Sequence, residues 1–300
     1  MGFVGVDTSH SAIRLVFPLW ARELGLPTEE LRGHDIPLGA DSATYRDLIT
    51  SIRDDETSLG ALVTTHKVAL FDAAADLFDD LDDFSRQCRE ISSIYKRNDR
   101  LCGAAKDPVT AGLALGEFVP AGHFARTGGE LLCLGAGGAG TAITTHLAQA
   151  GDAPARIVVT DVEETGLARL EEVHRRAGIA PGLVRYELVT GSEDSTELVG
   201  ATPPDSLVVN ASGLGKDRPG SPLSAAAVFP ERARVWEINY RGSLGFLHQA
   251  QAQADLRSLV VIDGWRYFIH GWTQVIADVF DRPLTAATVD RLAALAEAVR

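Results

Sequence analysis

Short apolar runs alternate along the chain with stretches whose apolar residues recur every three or four positions. Phe3 to Asp7 (FVGVD) predicts a strand and Ala12 to Leu24 a helix. A short strand is expected near His34 (HDIPLG), a helix over Ala43 to Arg53, and a strand from Gly60 (GALVTT) that feeds a helix from Val68. SSIYKR and LCGAA, separated by Asn98-Asp99-Arg100, predict a hairpin. From about Gly129 the alternation becomes regular: ELLCLG, RIVVTD, RYELV, SLVVNAS, RVWEINY and LVVID predict six short buried strands. Helices over Tyr267 to Phe280 and Ala286 to Val299 close the chain.

Strands and helices in strict alternation predict an α/β protein with parallel sheets. At 300 residues the chain exceeds what one compact core needs, so two domains are expected. The change of texture puts a first α/β domain at 1–115 and a doubly wound Rossmann-type nucleotide domain at 116–262, with C-terminal helices at 263–300 returning to the first.

A formal net charge of −13 argues against nucleic acid or an anionic membrane surface as partner, since both need a basic face. No run of about 18 apolar residues is present, and no basic stretch followed by an apolar one marks an export signal. A cytoplasmic monomer or homodimer is the expectation. Cys88, Cys102 and Cys133 are odd in number and lack metal-site or disulfide spacing, so they are read as reduced, with no metal site.

The stretch LLCLGAGGAGTAITTHLAQAG carries Gly135, Gly137 and Gly140 as G-x-G-x-x-G, directly after an apolar strand and opening a helix. The first glycine permits a tight turn, the second lets backbone approach a pyrophosphate, and the third allows close helix packing. Gly138 and Ala139 complete the loop. The next strand ends at Asp161, where a carboxylate accepts hydrogen bonds from a ribose and repels a 2′-phosphate. NAD is therefore expected in preference to NADP, which remains possible. Asp161 also suits a helix cap, and the two roles are compatible. Asn210, Ala211 and Ser212 end a later strand in small residues, fitting either a flat nicotinamide ring or a plain turn.

These pieces resemble, in order and over nearly the whole chain, the motifs of the shikimate dehydrogenase family. Ser9-His10-Ser11 is similar to its S-x-S, LVTTHK to its N-V-T-x-P-H-K, GAAKD to G-x-N-T-D, and GAGGAG to its glycine loop. NASGLG, EINY and DGWRYFIHGW resemble N-A-T-S-x-G, D-x-x-Y and N-G-x-x-M-L-x-x-Q. The resemblance implies Lys67 and Asp107 as a catalytic acid-base pair and Ser9 and Ser11 as the clasp for a substrate carboxylate. It further implies Thr65, Ser92, Tyr240, Gly271 and Gln274 on the substrate side, with Gly264 approaching the nicotinamide. Singly, each has a plainer role: Lys67 as a solvated charge, Ser9, Ser11 and Asp107 as helix caps, Tyr240 as core.

Several family substrate contacts are altered. Val63 stands for a threonine, Ser92-Ser93 for Asn-Thr, Ala105-Lys106 for another Asn-Thr, and Gly271 for a glutamine that Gln274 replaces in part. Lys106 has three readings: a partner for Asp107, a site for an acidic ligand group, or a solvated charge. The expected activity is reversible hydride transfer between nicotinamide and a hydroxyl or keto carbon of a small carboxylated ring: shikimate, quinate, aminoshikimate or a relative. The alternatives are a reductase of a non-shikimate ketone or imine in specialised biosynthesis, and a catalytically silent nucleotide-sensing regulator.

Overall fold

The computed structural model describes residues 1–216 and 218–300, which form two compact units, 1–106 with 269–300 and 107–268. Helix Asp107–Gly116, expected in the first unit, belongs to the second. It packs on helix Gly138–Gln149 so closely that a Cβ on Gly112 would lie 2.3 Å from the His146 ring. Residues 263–268 also join the second unit, where Tyr267 meets Trp236 edge-on at 5.6 Å.

The first unit holds a mixed sheet of β1 (Gly2–Gly5), β2 (Arg32–Asp35), β3 (Gly60–Val63), β4 (Asp80–Leu81), β5 (Ser93–Arg97) and β6 (Arg100–Ala104). Their spatial order is β2-β1-β3-β5-β6-β4. β1 runs parallel to β2 and β3, whereas β5 is antiparallel to both β3 and β6. Only glycine fits the start of β3: Gly60 has φ +137°, and a Cβ there would sit 2.1 Å from the Ile94 carbonyl. The hairpin of β5 and β6 turns on Asn98 and Asp99, both at positive φ (51° and 60°). It is thus a two-residue turn, with Arg100 already in the strand.

Helix Ile13–Leu24 buries Ile13, Val16, Phe17, Trp20, Ala21 and Leu24, one face at the helical period. It ends at left-handed Gly25, where the Leu26 amide reaches back to the Ala21 carbonyl. Trp20 donates to the Leu292 carbonyl at 2.7 Å, fixing the C-terminal helix Ala286–Glu297 against it.

The second unit is a parallel sheet of β7 (Leu131–Leu134), β8 (Ile157–Asp161), β9 (Val184–Leu188), β10 (Leu207–Asn210), β11 (Arg234–Glu237) and β12 (Val260–Ile262). Its order is β12-β11-β10-β7-β8-β9 with every neighbour parallel, so the chain winds outward twice from β7. The central strands are buried end to end, which is why they read as continuous apolar runs. Among the described residues no helix is long and apolar enough to cross a membrane, and no His, Cys, Asp and Glu group suits a metal ion. All three cysteines are free and buried.

Candidate functional site

In the first unit the loops after β1 and β3 start side by side, because the two strands pair with Val4 opposite Val63. The amide and hydroxyl of Thr64 both donate to the Val4 carbonyl at 3.0 Å, and Thr65 beyond it is exposed. Lys67 opens helix Lys67–Ala74, the end where the helix dipole disfavours a cation. Its carbonyl accepts the Ile91 amide at 3.1 Å, and the Ser92 carbonyl next along accepts the Val63 amide at 2.9 Å, so Lys67 and Ser92 are brought together. His66 is buried and fixed: Nε2 donates to the Ile36 carbonyl and Nδ1 meets the Tyr45 hydroxyl, both at 2.9 Å. It anchors the loop that carries the lysine.

The Ser92 hydroxyl donates to the Ala104 carbonyl at 3.3 Å and accepts the Lys106 amide at 2.7 Å, a clip across the strand ends. Lys106 has a partner that none of its three expected roles named. Its Nζ pairs with Asp278 at 2.9 Å, and the Ser93 hydroxyl donates to the same carboxylate oxygen. Both charges are about four-fifths shielded from water, where pairing matters more than at an open surface. Gly271 and Gln274 are half-buried on helix Trp265–Val279, beside Trp272, which meets Phe3 edge-on at 5.0 Å.

The serine loop after β1 is pinned at Thr8, whose amide donates to Asp35 at 2.9 Å and whose carbonyl and hydroxyl accept from Arg14. Neither serine caps helix Ile13–Leu24: its N-cap is Ala12, without a side-chain bond. Instead the Ser9 amide (2.9 Å) and hydroxyl (2.6 Å) both donate to Asp7 Oδ1, and His10 Nδ1 lies 2.9 Å from Asp7 Oδ2. The Ser9 hydroxyl, then His10, then the Ser9 amide hold the Asp7 carboxyl down at about 2. Ser11 is half-buried, and its carbonyl accepts the Arg14 amide.

In the second unit the three loop glycines serve three ends. Gly135 has φ +116°, and a Cβ there would press on the Ala211 carbonyl at 2.5 Å. A Cβ on Gly140 would lie 2.0 Å from the Gly135 carbonyl, so helix Gly138–Gln149 packs directly on the turn. Gly137, the N-cap, has nothing within 4 Å of its Cβ position, so the loop is open there, and with no side chain to accept from them it leaves the first helical amides without a side-chain cap. Asp161 ends β8 beside this loop: one carboxylate oxygen accepts the Ala136 amide at 2.8 Å and the other the Glu163 amide at 3.0 Å. A carboxylate has lone pairs beyond two, so room remains for ribose hydroxyls. The N-cap of helix Glu164–Arg176 is Glu163, so Asp161 is not the cap.

Asn210, the last residue of β10, leads through Ala211 and Ser212 into a turn built on a residue that sequence reasoning missed. Glu237, at the end of β11, is fully buried. It accepts the Asn239 amide (2.9 Å) and side chain (2.7 Å) on one oxygen and the Asn210 side chain (2.7 Å) on the other. Both asparagines also reach the Leu214 carbonyl, Asn210 holds the Ser212 amide and hydroxyl, and the Gly264 amide donates to the Asn239 carbonyl. One carboxylate thus joins three loops. Burial pushes it up to about 7, although its hydrogen bonds favour the charged form. Its signal was a carboxylate directly after the apolar pair Val235-Trp236 of a strand. Gly264 has no space for a side chain, since a Cβ would meet the Ile238 carbonyl at 1.9 Å. Tyr240 packs on Trp265 and Phe268, and Asp107 is the buried first residue of its helix.

A doubly wound parallel sheet with an open glycine loop at its first strand and a carboxylate at its second is the dinucleotide-binding type of fold. No protein-family model matches the chain. It is 29% identical over 163 residues to the shikimate dehydrogenase (NADP(+)) of Streptococcus gordonii, a match spanning 54% of this chain and about half, 53%, of that enzyme. Against the shikimate dehydrogenase (NADP(+)) of Methylobacterium radiotolerans it is 29% identical over 271 residues, 89% of this chain and 86% of the relative. The quinate dehydrogenase of Corynebacterium glutamicum, solved in complex with NAD, shares the fold with a TM-score of 0.77 at 18% identity, over 99% and 98% of the two chains. The chain is thus similar in sequence to shikimate dehydrogenases and shares its fold with the quinate dehydrogenase.

Proposed function

We propose that the chain is an NAD(P)-dependent oxidoreductase that moves hydride between a nicotinamide and a hydroxyl or keto carbon of a small hydroxylated ring. The carboxylated rings shikimate and quinate are the reference compounds. The observation that carries the reading is the glycine loop, where Gly137, open at its Cβ position, lies between two glycines closed by packing. The bound nicotinamide supplies the hydride donor or acceptor. Uncapped amides at the start of helix Gly138–Gln149 suit a pyrophosphate, and Asp161 suits an unphosphorylated ribose, which favours NAD. Asn210 to Ser212 and Gly264, held by Glu237, form the nicotinamide side.

Reduction of a ketone builds negative charge on its oxygen. The Lys67 ammonium stabilises that charge and delivers the proton, with Asp107 as the carboxylate that orients it. A ketone or imine outside the shikimate series is favoured as substrate by two observations, the Lys106–Asp278 pair and the engaged Ser92 hydroxyl, which leave fewer groups for ring hydroxyls. Retention of Lys67 and Asp107 argues against a silent regulator. The test follows nicotinamide absorbance with NAD or NADP and a panel of cyclic hydroxy acids, ketones and imines. Turnover of any member supports the reading; cofactor binding without turnover of any returns the regulator.

A further inference from the structure

The helix that follows the glycine loop is held from behind by a polar chain that the proposed chemistry does not use. Thr144 on helix Gly138–Gln149 and His174 on helix Glu164–Arg176 are buried, and Tyr186 on β9, at the edge of the sheet, is half-buried beside them. Thr144 Oγ1 lies 2.7 Å from the Gly140 carbonyl, 3.3 Å from that of Thr141 and 3.0 Å from His174 Nε2. His174 Nδ1 lies 2.7 Å from the Tyr186 hydroxyl.

One arrangement of protons satisfies all of these contacts. The Gly140 and Thr141 carbonyls can only accept, so the threonine hydroxyl donates to them. Its oxygen then accepts from His174 Nε2–H, which leaves Nδ1 bare to accept from Tyr186. Exchanging the roles of the ring nitrogens would turn the Thr144 proton to the imidazole and leave two oxygens 2.7 Å apart with no proton between them. Burial favours the neutral ring that this arrangement needs, pushing His174 down to about 4. The donors therefore all point one way, from the sheet edge to the Gly140 carbonyl. Gly140 is where the helix packs on the turn, its Cβ position 2.0 Å from the Gly135 carbonyl, and the Thr141 amide beside it donates to the Gly137 carbonyl at 2.8 Å. The chain thus ends on the helical turn whose first amides have no side-chain cap. Buried polar groups add little net stability over apolar side chains of the same shape; what they add here is a fixed direction.

We propose that His174 is a positioning residue for the cofactor: through Thr144 it holds the Gly140 peptide so that the first amides of the helix meet a pyrophosphate squarely. The proposal rests on the dinucleotide reading of the glycine loop and adds to it a residue from outside the loop.

Calorimetric titration of the full chain with NAD, and with ADP, which shares the pyrophosphate, tests it in two pairs of variants. Thr144→Val keeps the shape without the hydroxyl, and His174→Leu removes the N–H that holds it. Each is expected to weaken both ligands about ten-fold. Thr144→Ser restores the hydroxyl and His174→Gln an N–H toward it, and each is expected to stay within about three-fold of wild type. Nitrogen-resolved NMR of the wild-type His174 ring is expected to show the proton on Nε2 and a shift when NAD binds. Thr144→Val or His174→Leu within about three-fold of wild type, or Thr144→Ser as weak as Thr144→Val, would overturn the proposal. So would NAD affinity lost with ADP affinity kept, a ring proton on Nδ1, or a ring signal indifferent to NAD. Each of these leaves the dinucleotide reading standing, whereas wild-type protein that binds neither NAD nor ADP sinks that reading and the proposal with it.

Discussion

Glu237 makes the second unit's stability depend on pH in a direction opposite to that of most carboxylates. Burial raises its carboxyl from 4.5 to about 7. A displacement of that size corresponds to about 3 kcal/mol between the protonated and charged forms of the folded protein. Below 4.5 the group is protonated in both native and unfolded chains. As pH rises from there to about 7, the unfolded chain gives up the proton while the native one keeps it, so stability falls, and above that the loss is complete. Glu237→Gln carries no titrating group and is free of this slope. Urea unfolding of wild type and E237Q at matched pH cancels every other titration the two share. The wild-type advantage is expected to shrink by about 3 kcal/mol between roughly pH 4 and pH 8. Parallel stability curves across that range would refute the reasoning, because the carboxyl would then titrate alike in both states.

Two further substitutions probe the nucleotide side. Gly140→Ala puts a Cβ 2.0 Å from the Gly135 carbonyl. It is expected to cost about 1–3 kcal/mol of stability and to weaken NAD binding with it, measured by thermal unfolding with and without cofactor. Asp161→Ala removes the acceptor for the Ala136 and Glu163 amides and the carboxylate opposed to a 2′-phosphate. It should destabilise by about 1–3 kcal/mol and lose preference for NAD over NADP; an unchanged ratio of the two dissociation constants would contradict the ribose role.

The central strands of the second unit, β7 and β10, were legible because each is buried along its whole length, which writes a continuous apolar run into the sequence. The glycine loop was legible because its spacing came with strand and helix on either side. β4 was not: at two residues it is too short to show a period, and it exists by pairing with β6. The first domain boundary, expected at 115, moved to 106 because Gly112 lets its helix pack on Gly138–Gln149, a fit that depends on a side-chain contact with no periodic trace.

Site residues divided the same way. Lys67 and Asp161 were singled out from motif and position. The partner of Lys106 was not, since Asp278 is remote in sequence and arrives on the part of its helix that belongs to the first unit. Asp7 and Glu237 were readable as acidic residues at strand ends, but their roles depend on which donors the fold turns toward them: Ser9 and His10 for one, Asn210 and Asn239 for the other. Hydrogen-bond direction is a tertiary property, and a residue type alone does not carry it.

The proposal turns on Lys67 as the proton donor to a reacting oxygen. The most direct measurement compares wild type with Lys67→Ala for nicotinamide-coupled turnover of the best ring substrate, alongside NAD affinity by fluorescence. Loss of kcat by about two to four orders of magnitude with NAD affinity intact is the predicted result. Turnover undiminished in Lys67→Ala would contradict it.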